Sequence, residues 1–514
     1  MPRCRQYVHV ILFLLGILFI TTFFHLLLNP LTAPEQLTIP FNHVQNSSPH
    51  SFPRVRQTPD KRRFNSSAVE ALIKEIHQNI KNPELTWLFE NCFPNTLDTT
   101  VDFNPNTGAD NHPDTYVITG DIDAMWLRDS SAQIHPYLPL MKYDSNLRLL
   151  IEGVILRQLI CVQRDPYANA FYKDLERISE WKHLDNTEMR DGIHERKWAL
   201  DSLCYVLRLM YSYWKEVNYD STLFLKHKEE FQKTIRIILE TFKVQRRYNG
   251  TGRPYTFQRE NAPVDPRGNT ARPNGLIYSY FRPSDEIQEY PYLIPSQFFA
   301  YHTLKHLSHL IKSLNWTNEF DFDINTITND LHKILFNEKN LYDRDKSIIM
   351  KHSIYGLIYA YEINGLGNQH WMDDAPIPSL LSLPYLCPTE FSLNDTIYQN
   401  TRKFLLNKQN PWYFSGRVLE GIGRSHVEYG TVWPLAVIMR GLTSNDDEEI
   451  RSCLNMLQRS HGETGYMHES IHVDDSTQFT RAWFAWANSL FGEFIWKVYR
   501  EKPYLLNKVE SKRL

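Results

Sequence analysis

Metal-binding spacings are missing from this 514-residue sequence: it has no C-x-x-C pair and no cysteines at zinc spacing with histidines. That argues against a structural zinc site. Cysteine itself is scarce, with six in all. Cys4 precedes a long apolar run and is a candidate for palmitoylation. Cys92, Cys161, Cys204, Cys387 and Cys453 are an odd five, which allows at most two disulfides and reads equally well as buried thiols. A basic excess is lacking too. The formal net charge of −3 gives no reason to expect a nucleic-acid partner, because neutralising phosphates takes a basic face. Alternating strand patterns are few. There is no βαβ rhythm and no Gly-rich strand–turn–helix, so a nucleotide-binding α/β domain is not read here.

The long apolar run is Val8 to Leu28, VHVILFLLGILFITTFFHLLL. It is long enough to span a bilayer as a helix. Arg3 and Arg5 precede it and mark a cytoplasmic side. It ends without a small-residue cleavage site, so it reads as an uncleaved transmembrane signal anchor. The expectation is a single-pass type II membrane protein of the secretory pathway (Golgi or endoplasmic reticulum), with residues 1–7 as a cytoplasmic tail. N-x-[ST] sequons at Asn46, Asn65, Asn249, Asn315 and Asn394 agree with a luminal catalytic part. Residues 29–65 are rich in Pro, Ser, Asn and Gln, lack periodicity, and read as a flexible stem. The luminal domain is expected over 66–505.

Within that domain helical patterns recur. Ser67 is a candidate cap for AVEALIKEIHQNI. Ala199, Leu203, Val206, Met210 and Trp214 recur at helical spacing and mark a core helix. A long helix with Pro at its start is expected over 291–314. Further helices are expected near 144–163, 222–243, 325–337, 353–363, 396–406, 431–442, 446–459 and 479–499. About a dozen helices joined by long Pro-, Asn- and Gly-rich loops suit an all-α fold, an (α/α)6 barrel or toroid. Other all-α folds fit the helix count equally well. Aromatics make up 13% of the chain, which fits sugar stacking but, on composition alone, fits a large helical core better.

The chemistry lies in polar-aromatic stretches between the helices. In Gly120–Ser131, Asp121, Asp123, Arg128 and Asp129 crowd around Trp126. Asp121 and Asp123 form a D-x-D, which a glycosyltransferase would use to hold a divalent metal. The alternative is hydroxyl recognition, since carboxylates and Arg bond vicinal sugar hydroxyls and Trp offers an apolar face. Capping by Asp129 is the plain structural reading. Glu195, Lys197 and Asp201 sit at the start of the core helix, where a solvated first turn is nearly as good an account. Arg282, Asp285, Glu286 and Glu289 lie in an aromatic loop before the long helix. A carboxylic acid among aromatics is a candidate for a raised pKa, as a general acid needs. His468 and Glu469 occupy an aromatic-flanked turn, a candidate second carboxylate for glycoside hydrolysis. Arg417, Glu420, His426, Glu428 and the stretch from Asn368 to Asp374 are lesser candidates, and His352 reads as structural.

Together, GDIDAMWLRDSS (Gly120–Ser131), SYFRPSDEIQEYPYLIP (Ser279–Pro295) and GYMHES (Gly465–Ser470) resemble glycoside hydrolase family 125, in order and over about residues 67–500. The resemblance implies an exo-α-1,6-mannosidase on an (α/α)6 barrel, acting with inversion and without a metal or other cofactor. It implies Asp285 as general acid, with Glu286 standing where many relatives carry a second Asp, and Glu469 as general base. Binding roles for Arg128, Asp129 and the Glu195–Asp201 group are implied by segment similarity. The expected partner is a mannose-containing glycan. Two rival readings stay open at this point: a type II glycosyltransferase and a non-catalytic glycan-binding protein.

Overall fold

Helices come in two kinds in the computed structural model, which describes residues 52–108, 111–247, 255–258, 271–337, 347–424 and 429–507. Leu127–Ile134, Leu200–Glu216, Ile294–Ser313, Pro434–Leu442 and Ala485–Glu501 are buried on most of their circumference. The eight residues of the first are all buried. Such helices belong inside a fold, since no face is left for water. They alternate along the chain with outer helices, of which Ser145–Arg164, Lys228–Gln245, Thr317–Leu335, Thr396–Leu405 and Asp447–Ser460 leave a face to water and the shorter Pro83–Cys92 is more deeply buried. Inner helices pack on inner neighbours, Leu127 on Leu200 and Leu200 on Ile294, and the last, Ala485–Glu501, packs back on the first. The one-turn Leu383–Leu386 packs on the Ile294 helix. This largely helical alternation is that of an (α/α) toroid.

Side-chain caps occur only outside the inner set, although the outer helices Lys228–Gln245 and Thr317–Leu335 have none. Ser66, Asn82, Asp144, Asp395 and Asp446 cap outer helices through their side chains. The inner helices start after Trp126, Ala199, Leu293, Trp433 and Phe484, and none has a side-chain cap. Their first N–H groups and the positive ends of their dipoles are therefore left for whatever lies at that end.

Short antiparallel sheets lead into the inner helices. Met125–Trp126 pairs with Ala170–Phe171, and that with Ile193–Glu195. Tyr292–Leu293 pairs with Glu362–Ile363, and that with Gln369–His370. Thr431–Val432 pairs with Ser470–His472, and that with Asp475–Thr480.

Several expectations need correction. Ser66, not Ser67, caps the first helix. The helix expected near 353–363 is a hairpin of Ile349–His352 and Gly356–Tyr359; the stretch is β-branched and aromatic, and Gly356 turns at φ +82°. The helix expected over 222–243 breaks at His227, and the one near 325–337 begins at Thr317. Packing starts ahead of Ser66: Arg56 is buried against Asp98 and Glu70, at 2.7 and 2.5 Å. The five cysteines from Cys92 to Cys453 are buried free thiols. His352 is structural, its Nδ1 accepting the Ile354 and Tyr355 N–H groups.

The single-pass type II membrane placement is also corrected. Among the described residues no helix is long and apolar enough to cross a membrane. The run over residues 8–28 lies outside the described residues. Of the sequon residues, Asn65, Asn315 and Asn394 are exposed, while Asn46 and Asn249 lie outside the described residues.

Candidate active site

A cavity of about 280 Å³ opens where the inner helices begin. Trp126, Arg128 and Asp129 enter it from the start of the Leu127 helix, Glu195 and Lys197 from the segment before the Leu200 helix, and Asp285 and Glu469 from two loops. Seven residues singled out in four separate stretches of sequence thus line one cavity. Trp433, Phe484 and Trp486 supply its aromatic walls.

Strand register explains part of the convergence. Trp126 stands opposite Ala170, and Ala170 opposite Glu195. The three side chains share one face of the sheet, with the smallest in the middle, so indole and carboxylate both reach the cavity. Gly120 holds the preceding loop. At φ +135° it would carry a Cβ 2.1 Å from the Trp483 carbonyl oxygen, so only glycine lets the loop lie against the start of the last inner helix.

Asp285 sits in a tight loop at φ +61°, an uncommon conformation for a residue with a side chain. The loop is fixed from behind. Arg282 donates from Nε to Glu362 at 2.6 Å. The other Glu362 oxygen accepts the backbone N–H groups of Glu289 and Tyr290, at 3.0 and 3.1 Å. In front, Asp285 Oδ2 accepts from Trp126 Nε1 at 3.2 Å and from Arg128 at 3.4 Å. Its Oδ1 accepts from Asn169 Nδ2 at 3.1 Å. Glu286 turns elsewhere, toward Arg424 at 3.1 Å and Arg282 at 4.0 Å. Of the two adjacent carboxylates, Asp285 is the one that lines the cavity.

The electrostatics differ from the expectation of a raised acid. Burial pushes the Asp285 carboxyl up, but Arg128, Lys197 and Arg424 together hold it below the ordinary carboxylate range. The aromatic loop suggests desolvation, while the cations come from distant segments and outweigh it. Burial raises Asp129 despite Arg128 beside it. Asp201 is pushed up to about 7 by burial, and Asp285 and Asp129 add to the rise. Arg128 thus faces three carboxylates: Asp129 at 3.2 Å, Asp285 at 3.4 Å and Asp201 at 3.7 Å.

Glu469 precedes the strand Ser470–His472. Its Oε2 accepts from Thr480 Oγ1 at 3.1 Å and its Oε1 from Arg481 at 3.4 Å. Asn488, on the last inner helix, ties the turn down through the Met467 N–H and carbonyl, at 2.9 and 3.0 Å.

Five expected sugar contacts do not line the cavity, and one cannot be placed. Asp201 is buried behind Arg128. Arg282 is buried against Glu362. His468 stacks on Phe479 with ring centres 3.7 Å apart, donor or acceptor to Thr464, and burial lowers it to about 4. Asp123 is 72% exposed and pairs with Arg177 at 2.9 Å. Asp121 reaches the site only through Arg481, which it holds at 2.5 Å. The two D-x-D carboxylates are thus each engaged by a different arginine rather than aimed at a common ion. Among the described residues no group of three or more His, Cys, Asp or Glu side chains is placed to hold a metal ion. Glu428 and His426 lie outside the described residues. Arg417 pairs on the surface with Asp474, and Glu420 with Arg440.

The sequence reading missed Asn169. It is fully buried, donates to Glu195 Oε2 at 3.3 Å as well as to Asp285, and accepts the Lys197 N–H at 3.0 Å. It also missed Arg424 and the role of Asp374, which accepts from Ser284 at 2.7 Å beside the Asp285 loop.

The family model of metal-independent α-mannosidases (GH125) matches residues 82–496. A solved metal-independent α-mannosidase from Streptococcus pneumoniae, captured in a non-productive complex with α-1,6-mannobiose, is 36% identical with a TM-score of 0.77. The match covers 86% of this chain and all of that one. The meiotically up-regulated gene 157 protein of Schizosaccharomyces pombe is 37% identical over 498 residues, 91% of this chain and 93% of its own.

Proposed function

The chain belongs to the metal-independent α-mannosidases of glycoside hydrolase family 125, and from that premise we propose that it removes a terminal non-reducing α-1,6-linked mannose from a glycan with inversion. One observation carries the assignment of roles: Asp285 and Glu469, from loops far apart in sequence, line the same small cavity. Asp285 protonates the glycosidic oxygen as its bond to C1 breaks. Glu469 takes a proton from a water that attacks C1 from the opposite face. The products are β-mannose and the shortened glycan. Room for that water calls for carboxyl groups roughly 6.5–9.5 Å apart.

Arg128, Asp129, Glu195 and Lys197 offer charged donors and acceptors for mannose hydroxyls. Trp126, Trp433, Phe484 and Trp486 exclude water around the ring. The acid's proton comes from the carboxyl cluster around Arg128. Burial pushes Asp201, behind Arg128, up to about 7, so the cluster keeps a proton there up to near neutrality. A bound mannoside replaces water at Asp285 and favours its protonated form.

The test is NMR detection of the first-formed anomer from α-1,6-mannobiose, with and without EDTA. β-Mannose appearing first, at a rate EDTA leaves unchanged, is the expected result. Initial α-mannose overturns inversion, and loss of activity with EDTA overturns metal independence.

A further inference from the structure

A second cavity, of about 500 Å³, adjoins the first. One layer of side chains divides them. Ala124, Trp126, Ala170 and Tyr172 form a small apolar cluster apart from the main core, with Ile122 packed against it. Trp126 and Ile122 line the catalytic cavity, and Tyr172 lines the second. The layer is held edge to face: His194 packs on Trp126 with ring centres 5.2 Å apart and on Tyr172 at 5.1 Å. The Tyr172 hydroxyl is tied to His194 Nδ1 at 2.8 Å and to Glu180 at 2.5 Å. The 118–123 loop serves both cavities, with Thr119 on one side and Ile118 and Asp123 on the other.

The lining of the second cavity selects a ligand class. Tyr116, Tyr172 and Thr100 form its buried floor, and the Arg177 guanidinium lies over the Tyr172 ring. Two exposed ion pairs stand in the lining, Lys173–Asp102 at 2.5 Å and Arg177–Asp123 at 2.9 Å. With Arg63 and Asp174 the lining holds three cations and three carboxylates. That balance gives no net attraction for a phosphate or a nucleotide. Alternating exposed carboxylates and cations suit a neutral polyol, whose vicinal hydroxyls both donate and accept.

We infer that this second cavity is a glycan subsite, which holds mannose units of the substrate beyond the bond that is cut. It rests on the α-mannosidase reading above, with the glycan passing from one cavity to the other over the 118–123 loop that lines both. Asp123 then does meet sugar, away from the chemistry.

The test is calorimetric titration of the full chain carrying Glu469→Gln, with α-1,6-mannobiose and α-1,6-mannotetraose. The tetraose is expected to bind at least tenfold tighter. Adding Asp102→Ala and Lys173→Ala, or Lys173→Ala alone, is expected to erase most of that gain while leaving mannobiose affinity within twofold. Both side chains are about half exposed, so the fold tolerates their removal. Equal affinity for the two sugars overturns the inference, as does a gain that survives the substitutions. Mannose release from mannobiose by the unsubstituted chain is scored separately. Its absence counts against the catalytic reading, whereas failure of the length dependence alone counts against the subsite.

Discussion

Trp126 donates its indole N–H to Oδ2 of Asp285 across 3.2 Å. One residue therefore both walls the cavity and orients the proposed acid. Trp126→Phe keeps an aromatic face and removes the donor. A hydrogen bond to a charged group contributes about 1.5–3 kcal/mol, so kcat/KM on α-1,6-mannobiose is expected to fall on the order of tenfold to a hundredfold. Unchanged kinetics would mean that the bond does not position Asp285.

Asn169 is the neutral link between Glu195 and Asp285. Asn169→Ala removes both donated bonds. Asn169→Asp keeps the shape and sets a third carboxylate against two others in a buried site, where like charges repel strongly. The aspartate variant is expected to be the less active of the two. Steady-state kinetics with α-1,6-mannobiose decides the order, and an aspartate variant more active than the alanine variant contradicts this account of Asn169.

These two residues also mark how far the sequence could be read. Trp126 stands in a polar-aromatic run beside Arg128 and Asp129, and that local pattern is visible without a fold. Asn169 has no such company. Its position matters only because strand pairing brings Ala170 between Trp126 and Glu195. Arg424, Trp433 and Trp486 were hidden for the same reason, since each reaches the cavity from a different distant segment. The lowered pKa of Asp285 was equally out of reach, because the cations responsible lie elsewhere in the chain. Helices of ten residues or more carry a period that sequence shows well. Strands of two or three residues, such as Met125–Trp126 and Thr431–Val432, are too short to display alternation.

Burial raises the Asp201 carboxyl to about 7, against about 3.9 in an unfolded chain. Between those values the folded chain holds a proton that the unfolded chain has released. Stability from this group therefore falls as pH rises from about 4 to about 7, and levels off above. Asp201→Asn has no such proton to hold. Its Tm relative to the parent is expected to move in the variant's favour between about pH 5 and about pH 8. A gap that stays constant with pH contradicts the raised pKa.

Turnover of α-1,6-mannobiose by Asp285→Asn and by Glu469→Gln tests the central claim most directly, with Tm recorded alongside. General acid and base roles predict that each variant keeps its fold and loses on the order of 10²–10⁴-fold in kcat. Full activity in either variant would contradict the pairing of Asp285 as acid with Glu469 as base.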